Sequence, residues 1–158
     1  MIFVTVGSQK FQFNRLLKKI DELIEKKVIT DKVFAQIGAS DYKPVNYEYV
    51  DFMTQEEFIK KLEECNLLIT HAGTGVIVNA VKREKKVIAT PRLAKYGEHV
   101  DDHQIQLIQQ FDELNFIEPC YELDDLEIKL KEINNKKYKK YVSNTDTIIE
   151  SIKKFINK

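Results

Sequence analysis

Several residue types are scarce in the 158-residue sequence, which has no tryptophan, two cysteines, three prolines and five glycines. Cys65 and Cys120 cannot build the disulfide framework of a small secreted protein, and we expect two structural thiols in a protein of the reducing cytoplasm. No apolar run approaches the ~20 residues that cross a membrane as a helix. Residues 1–6 lack a basic segment and have the pattern of a strand, so we expect no signal peptide.

The charges balance, with 25 lysines and arginines against 25 aspartates and glutamates. Non-specific binding of nucleic acid depends on a cationic excess, so the balance argues against that class of partner. Domains usually run ~100–200 residues, and 43% of this chain is hydrophobic. We therefore expect a single domain over residues 1–158 with a core of its own.

Short apolar runs alternate with segments of helical periodicity along the chain. The predicted strands cover residues 2–6, 33–37, 47–52, 67–70, 86–90 and 116–117. The predicted helices cover 13–27, 54–64, 76–83, 100–111, 123–133 and 145–156. This alternation predicts an α/β fold with a Rossmann-like, doubly wound, mainly parallel sheet flanked by helices. Ligands of such folds bind beyond the carboxyl ends of the strands.

The fourth predicted strand ends in the turn His71-Ala72-Gly73-Thr74-Gly75, and a helix follows. A helix N-terminus presents unpaired N–H groups, and glycines let the backbone approach a phosphate closely. His71 and Thr74 could add side-chain donors. The spacing is neither the dinucleotide fingerprint nor a P-loop. A plain strand-to-helix turn is the alternative.

The fifth predicted strand is followed by a polar loop from Pro91 to Gln104. It offers a cation and groups able to bond sugar hydroxyls, namely Arg92, Glu98, His99, Asp102, His103 and Gln104. The alternative is a solvated loop with an aspartate N-cap. A metal site at these residues would need a further ligand, so we expect no metal.

Three weaker features remain. Gly7 and Ser8 follow the first strand and could offer N–H groups to a phosphate, and Gly38 ends the second strand. Residues 136–141 interleave four lysines with two tyrosines, which is typical of a solvated helix face. An anionic membrane surface or a protein partner is the alternative for that segment.

Together these segments resemble the glycosyltransferase family 28 C-terminal domain, one half of a GT-B fold. The similarity runs from Phe3 to about Phe111 and is most specific in the segments 70–75 and 91–104. Within the family, the chain resembles the small soluble subunits of two-component glycosyltransferases. These include the subunit of the dolichol-linked N-acetylglucosaminyltransferase and that of bacterial exopolysaccharide or capsule galactosyltransferases.

The resemblance implies a binding site for a UDP-sugar. The turn from His71 to Gly75 would hold the diphosphate, with Gly7 and Ser8 approaching it from the first strand. His103 and Gln104 would grip the donor sugar, and Gly38 would lie near the uracil. Many relatives carry a glutamate for the ribose hydroxyls where this chain has Asn79. Ribose binding would then be weaker, or would come from Glu98 or a partner.

The resemblance also implies a reaction and a partner. We expect a UDP-sugar as substrate, with no further cofactor, and transfer of galactose or N-acetylglucosamine to a lipid-linked sugar with inversion. A membrane-attached partner would supply the acceptor site and the catalytic base, keeping this chain peripheral at the cytoplasmic side of the membrane. An isolated chain could also pair with a second copy.

Three other functions stay open: a non-catalytic subunit that positions a partner enzyme, a sugar epimerase and a dinucleotide oxidoreductase. The missing fingerprint makes the last the weakest of these.

Overall fold

The computed structural model describes residues 1–140, which form a six-stranded parallel sheet in the order β3-β2-β1-β4-β5-β6. The strands are β1 (Ile2–Thr5), β2 (Val33–Gln36), β3 (Glu48–Val50), β4 (Leu67–Thr70), β5 (Lys86–Ala89) and β6 (Glu118–Pro119). The helices are α1 (Asn14–Glu25), α2 (Gln55–Glu64), α3 (Thr74–Lys82), α4 (His103–Glu113) and α5 (Leu126–Glu132). This architecture confirms the predicted doubly wound α/β fold.

Helices cover both faces of the sheet, which is why β1 and β4 are buried at every position. Successive side chains of a strand point to opposite faces. Val4 accordingly packs into a core with α1 and α5, whereas Phe3 packs into a second core with α2, α3 and α4. None of the helices within residues 1–140 is long and apolar enough to span a membrane.

The strand order reverses at β1, which pairs with β2 on one side and with β4 on the other. The connections after β1 and β4 therefore run to opposite faces of the sheet and leave a crevice at its carboxyl edge. Gly7 follows β1 and His71 follows β4, so the topology brings the two glycine-containing turns face to face.

Local signals predicted most helix boundaries. The Thr54 hydroxyl accepts a hydrogen bond from the Glu57 N–H at 3.1 Å, as the capping-box signature predicts. The helix expected from residue 100 begins at His103 because the Asp101 carboxylate takes the His103 N–H at 3.0 Å. The last strand lies at Glu118–Pro119, two residues beyond its predicted place. The predicted helix 145–156 lies outside the described residues.

The lysine- and tyrosine-rich segment is not a helix over residues 136–140, so that interpretation was wrong. The segment instead packs against the end of β6. The Glu118 carboxylate, which is 4% exposed, accepts hydrogen bonds at 2.9 Å from Lys129, Lys136 and the Tyr138 hydroxyl. Burial alone would raise the pKa of Glu118, but these three donors outweigh burial and hold the pKa below its usual value.

A carboxyl group with a lowered pKa in the folded state stabilises the fold above its unfolded pKa of ~4.3, and this contribution is lost as the pH falls through the folded value. We expect Glu118→Gln to lower the free energy of unfolding by about 1–3 kcal/mol at pH 7. Urea titrations of Glu118→Gln, with the exposed Glu122→Gln as control, measure this effect. A difference from wild type that stays constant down to pH 3 would contradict the assignment.

Candidate functional site

The turn between β4 and α3 builds one wall of the crevice. Gly73 is the N-cap of α3, has no side-chain cap, and is followed by a first turn without an acidic residue. The first N–H groups of such a helix have no partner within the helix and carry a partial positive charge. The start of α3 is therefore suited to an anionic group.

His71 lies beneath this turn and is 4% exposed. Burial, followed by the nearby Arg92 and His99 charges, lowers the pKa of His71 to about 3, so the imidazole is neutral at physiological pH. Its Nε2 is buried and has no hydrogen-bond partner among residues 1–140. Native structures rarely leave a buried polar atom unpaired, and where they do a ligand, ion or water is one explanation.

Two glycines from two different loops flank that nitrogen. An ideal Cβ at Gly7 would lie 2.7 Å from His71 Nε2, and one at Gly73 would lie 2.6 Å from Cε1 and 2.7 Å from Nε2. Any side chain at either position would collide with the ring. The chain after β1 and the chain after β4 thus approach each other across the edge of the imidazole.

Arg92 and Glu98, two of the predicted ligand groups, are used inside the protein instead. The Arg92 side chain is fully buried and donates to four backbone carbonyls, those of Val6, Phe11, Gln12 and Glu98. Burial lowers the pKa of Arg92 to about 10, so the group remains charged at pH 7. It joins the loop after β1 to the loop after β5.

Glu98 adds a second link between these parts of the chain. Its two carboxylate oxygens each accept a hydrogen bond at 3.0 Å from Arg15, and Oε1 also accepts the Leu93 N–H. Its side chain is 1% exposed. The expectation that Glu98 binds ribose hydroxyls is therefore corrected: its oxygens are committed to the protein.

Three other predicted ligand residues of the Pro91–Gln104 segment, His99, Asp102 and His103, have two different roles. Asp102 accepts the Ala94 N–H at 2.9 Å and fixes the loop. His99 and His103 line the crevice, and the Nδ1 atom of each lies 3.3 Å from a carboxylate oxygen of Asp101. Within residues 1–140 no group of three or more potential metal-ligating side chains is placed to hold a metal ion.

Two cavities flank the paired loops, of about 350 and 260 Å³. Residues lining the first include Thr5, Ser8, Gln36, Phe58, Gly75 and Asn79. Residues lining the second include Gln9, Gly73, Thr74, His99, His103 and Gln104. The two cavities thus lie on the two sides of the glycine turn.

Gly38 does not line either cavity. A Cβ there would lie 2.7 Å from the Gly7 carbonyl oxygen, so Gly38 lets the loop after β2 support the loop after β1. Asn79 does line the first cavity, but its side chain bonds the Gly75 carbonyl at 2.9 Å and receives Arg83 at 3.2 Å.

Two residues that line the first cavity, Gln36 and Phe58, are not among the predicted site residues, although Gln36 opens the segment 36–40 that contains Gly38. Gln36 ends β2, so the rule that ligands bind at carboxyl ends could have identified it. Phe58 reaches the crevice from the middle of α2, and no local signal indicates that.

The strand order, the crevice at its reversal and the helix N-terminus that faces it define a Rossmann-like α/β domain of the type found as one half of GT-B enzymes. The glycosyltransferase family 28 C-terminal domain model matches residues 1–158, and the chain belongs to this family.

Individual proteins are similar to this chain in sequence or in fold. The chain is 27% identical over 114 residues to a UDP-N-acetylglucosamine transferase subunit, ALG13, from Candida albicans, a match that covers 71% of this chain and 36% of that protein. The solution structure of an ALG13 protein has a TM-score of 0.61 and 20% identity, with 96% of both chains covered. The glycosyltransferase SnogD from Streptomyces nogalater has a TM-score of 0.55 at 15% identity, over 39% of its length.

Because the Arg92 side chain links the loops after β1 and β5, removal of its guanidinium should cause a large loss of stability. Arg92→Met leaves four backbone carbonyls, two of them buried and two partly buried, without this donor and should cost about 3–5 kcal/mol. For a chain of this size the melting temperature should fall by roughly 10 °C. Thermal unfolding followed by circular dichroism measures this, with the exposed Lys95→Met as control. A shift equal to that of the control would contradict the role of Arg92.

The glycine turn provides a matched pair of substitutions. Gly73→Ala places a methyl group against the His71 ring and should destabilise the fold by about 1–3 kcal/mol. Gly75→Ala meets nothing within 4 Å, lies inside α3, and should be neutral or stabilise it by up to about 1 kcal/mol. Denaturant unfolding of both variants checks the prediction, which fails if the two changes are equal.

Proposed function

We propose that this chain is the donor-binding subunit of a two-component inverting glycosyltransferase that uses a UDP-sugar. The observation that carries the proposal is the buried, unpartnered Nε2 of His71, which lies beside the free N–H groups at the start of α3. A diphosphate needs several donors that converge without a carboxylate among them, and this part of the crevice provides them.

The two cavities suit the two ends of a nucleotide sugar on either side of its diphosphate. The first has the apolar ring of Phe58 and the amide of Gln36, groups able to hold a base. The second carries His99, His103 and Thr74, which can bond sugar hydroxyls. The nucleoside would occupy the first cavity and the sugar the second.

The same donors would assist the departure of UDP. As the bond between the sugar and the diphosphate breaks, negative charge grows on the phosphate oxygen. Donors fixed in a water-poor site stabilise such charge without reorganising. His71 would donate its Nε2 proton as a hydrogen bond and remain neutral throughout.

The acceptor site and the base would come from a membrane-attached partner. The matches cover 36% of the Candida albicans protein and 39% of SnogD. The Candida albicans protein is named a transferase subunit, and this name supports a partner subunit. Its name also favours N-acetylglucosamine over galactose as the sugar transferred. A lipid-linked sugar is the acceptor we propose.

Calorimetric titration of the purified chain tests donor binding. UDP and UDP-N-acetylglucosamine should bind, whereas NAD should not. His71→Ala removes one hydrogen bond to a charged group, worth about 1.5–3 kcal/mol, and should weaken UDP binding roughly 10- to 100-fold. Lys137→Ala, in the lysine-rich segment away from the crevice, should leave the affinity unchanged and controls for loss of positive charge.

Two outcomes would contradict the proposal. UDP binding that is insensitive to His71→Ala would mean that the UDP site lies elsewhere on the chain. Absence of UDP binding, both alone and with the partner present, would favour a non-catalytic positioning subunit. One observation fits that alternative: the Asn79 amide is held by its own helix and lacks the charge that a ribose-binding glutamate provides.

A further inference from the structure

Gln104, the second residue of α4, ties two loops of the crevice together. Its Oε1 accepts the Ala72 N–H at 3.3 Å and the Arg92 N–H at 2.9 Å. The side chain is 7% exposed. Two backbone donors on one oxygen fix which end of the amide is which, because the –NH₂ end cannot accept a hydrogen bond.

The –NH₂ end of Gln104 therefore faces His71, with Nε2 of the amide 3.4 Å from Nδ1 of the imidazole. An amide nitrogen offers only donors, so Nδ1 of His71 must present its lone pair. A neutral imidazole carries one proton, and that proton is then on Nε2. The low pKa of His71 agrees with a neutral ring.

The tautomer of His71 decides whether its Nε2 presents a hydrogen-bond donor or an acceptor to a ligand in the crevice. With the proton on Nε2, the nitrogen between Gly7 and Gly73 is a donor. With the proton on Nδ1, the same nitrogen would present a lone pair and repel an anionic oxygen. The carbonyl end of Gln104 is fully engaged by the backbone, and its –NH₂ end faces His71.

From this geometry we infer that Gln104 is a positioning residue that holds His71 in the Nε2–H tautomer, so that the imidazole donates to an anionic oxygen of the bound ligand. This role rests on the proposed diphosphate site. It differs from the expectation that Gln104 grips the donor sugar, because it places the amide behind the histidine.

The tautomer can be read without any ligand. The chain has three histidines, so ¹⁵N-histidine labelling gives few signals, and histidine substitutions assign them. In the wild-type protein at pH 7, we expect His71 to show a protonated, pyrrole-type Nε2 and an unprotonated, pyridine-type Nδ1. A protonated Nδ1 in the wild type would overturn the inference, and this measurement does not depend on a variant that folds.

The variant Gln104→Glu then tests whether Gln104 determines the tautomer of His71. A glutamate keeps an acceptor for the two backbone N–H groups but places an oxygen, rather than an –NH₂ group, beside Nδ1. At pH 8.5, where the buried ring beside Arg92 stays neutral, the proton should move to Nδ1. The exposed Gln109→Glu adds the same charge to α4 and should leave the tautomer unchanged. An unprotonated Nδ1 in Gln104→Glu would overturn the inference.

A double-mutant cycle links the tautomer to binding. Gln104→Glu should weaken UDP binding at least 10-fold in the wild-type background and less than 2-fold in the His71→Ala background. Equal effects in both backgrounds would mean that Gln104 acts directly on the ligand and would overturn the positioning role. If the wild type shows the expected tautomer but binds no UDP, either alone or with the partner present, the proposed function fails by itself.

Discussion

The buried guanidinium of Arg92 is the contact on which the site depends. One side chain donates to the carbonyls of Val6, Phe11 and Gln12 in the segment after β1 and to that of Glu98 in the distant segment after β5. Isolated burial of a charge is costly, and here several backbone dipoles and the nearby Glu98 carboxylate compensate for it. Because the loops after β1 and β5 share this anchor, the walls of the crevice keep a fixed relation to the sheet.

Near this anchor, His71 Nε2 is buried without a hydrogen-bond partner, as are Thr90 Oγ1 and Arg92 Nε among residues 1–140. A buried N–H without a partner costs about 1–3 kcal/mol, and the two glycines that border His71 remove the side chains that could shield or displace it. Stability alone would not favour such an arrangement. A donor that is held neutral, oriented by Gln104 and placed beside a helix N-terminus is what recognition of an anion requires.

Periodicity and turn chemistry were sufficient to predict the parallel α/β sheet, the Thr54 cap and the glycine turn at residues 71–75, because each rests on neighbours in sequence. The roles of Arg92, Glu98 and Gln104 could not be predicted, since their partners lie as far as 86 residues away. A polar loop has the same sequence pattern whether its side chains face a ligand or hydrogen-bond its own backbone. The lysine- and tyrosine-rich segment was misjudged for a similar reason: its partner, Glu118, belongs to another strand.

A crystal structure of the chain with bound UDP tests the central claim most directly. The account predicts a phosphate oxygen within about 2.7–3.2 Å of His71 Nε2, and further phosphate oxygens on the N–H groups of the first turn of α3. A diphosphate bound elsewhere, for example beside Lys137 and Lys140, with the His71 nitrogen still unpaired, would contradict it.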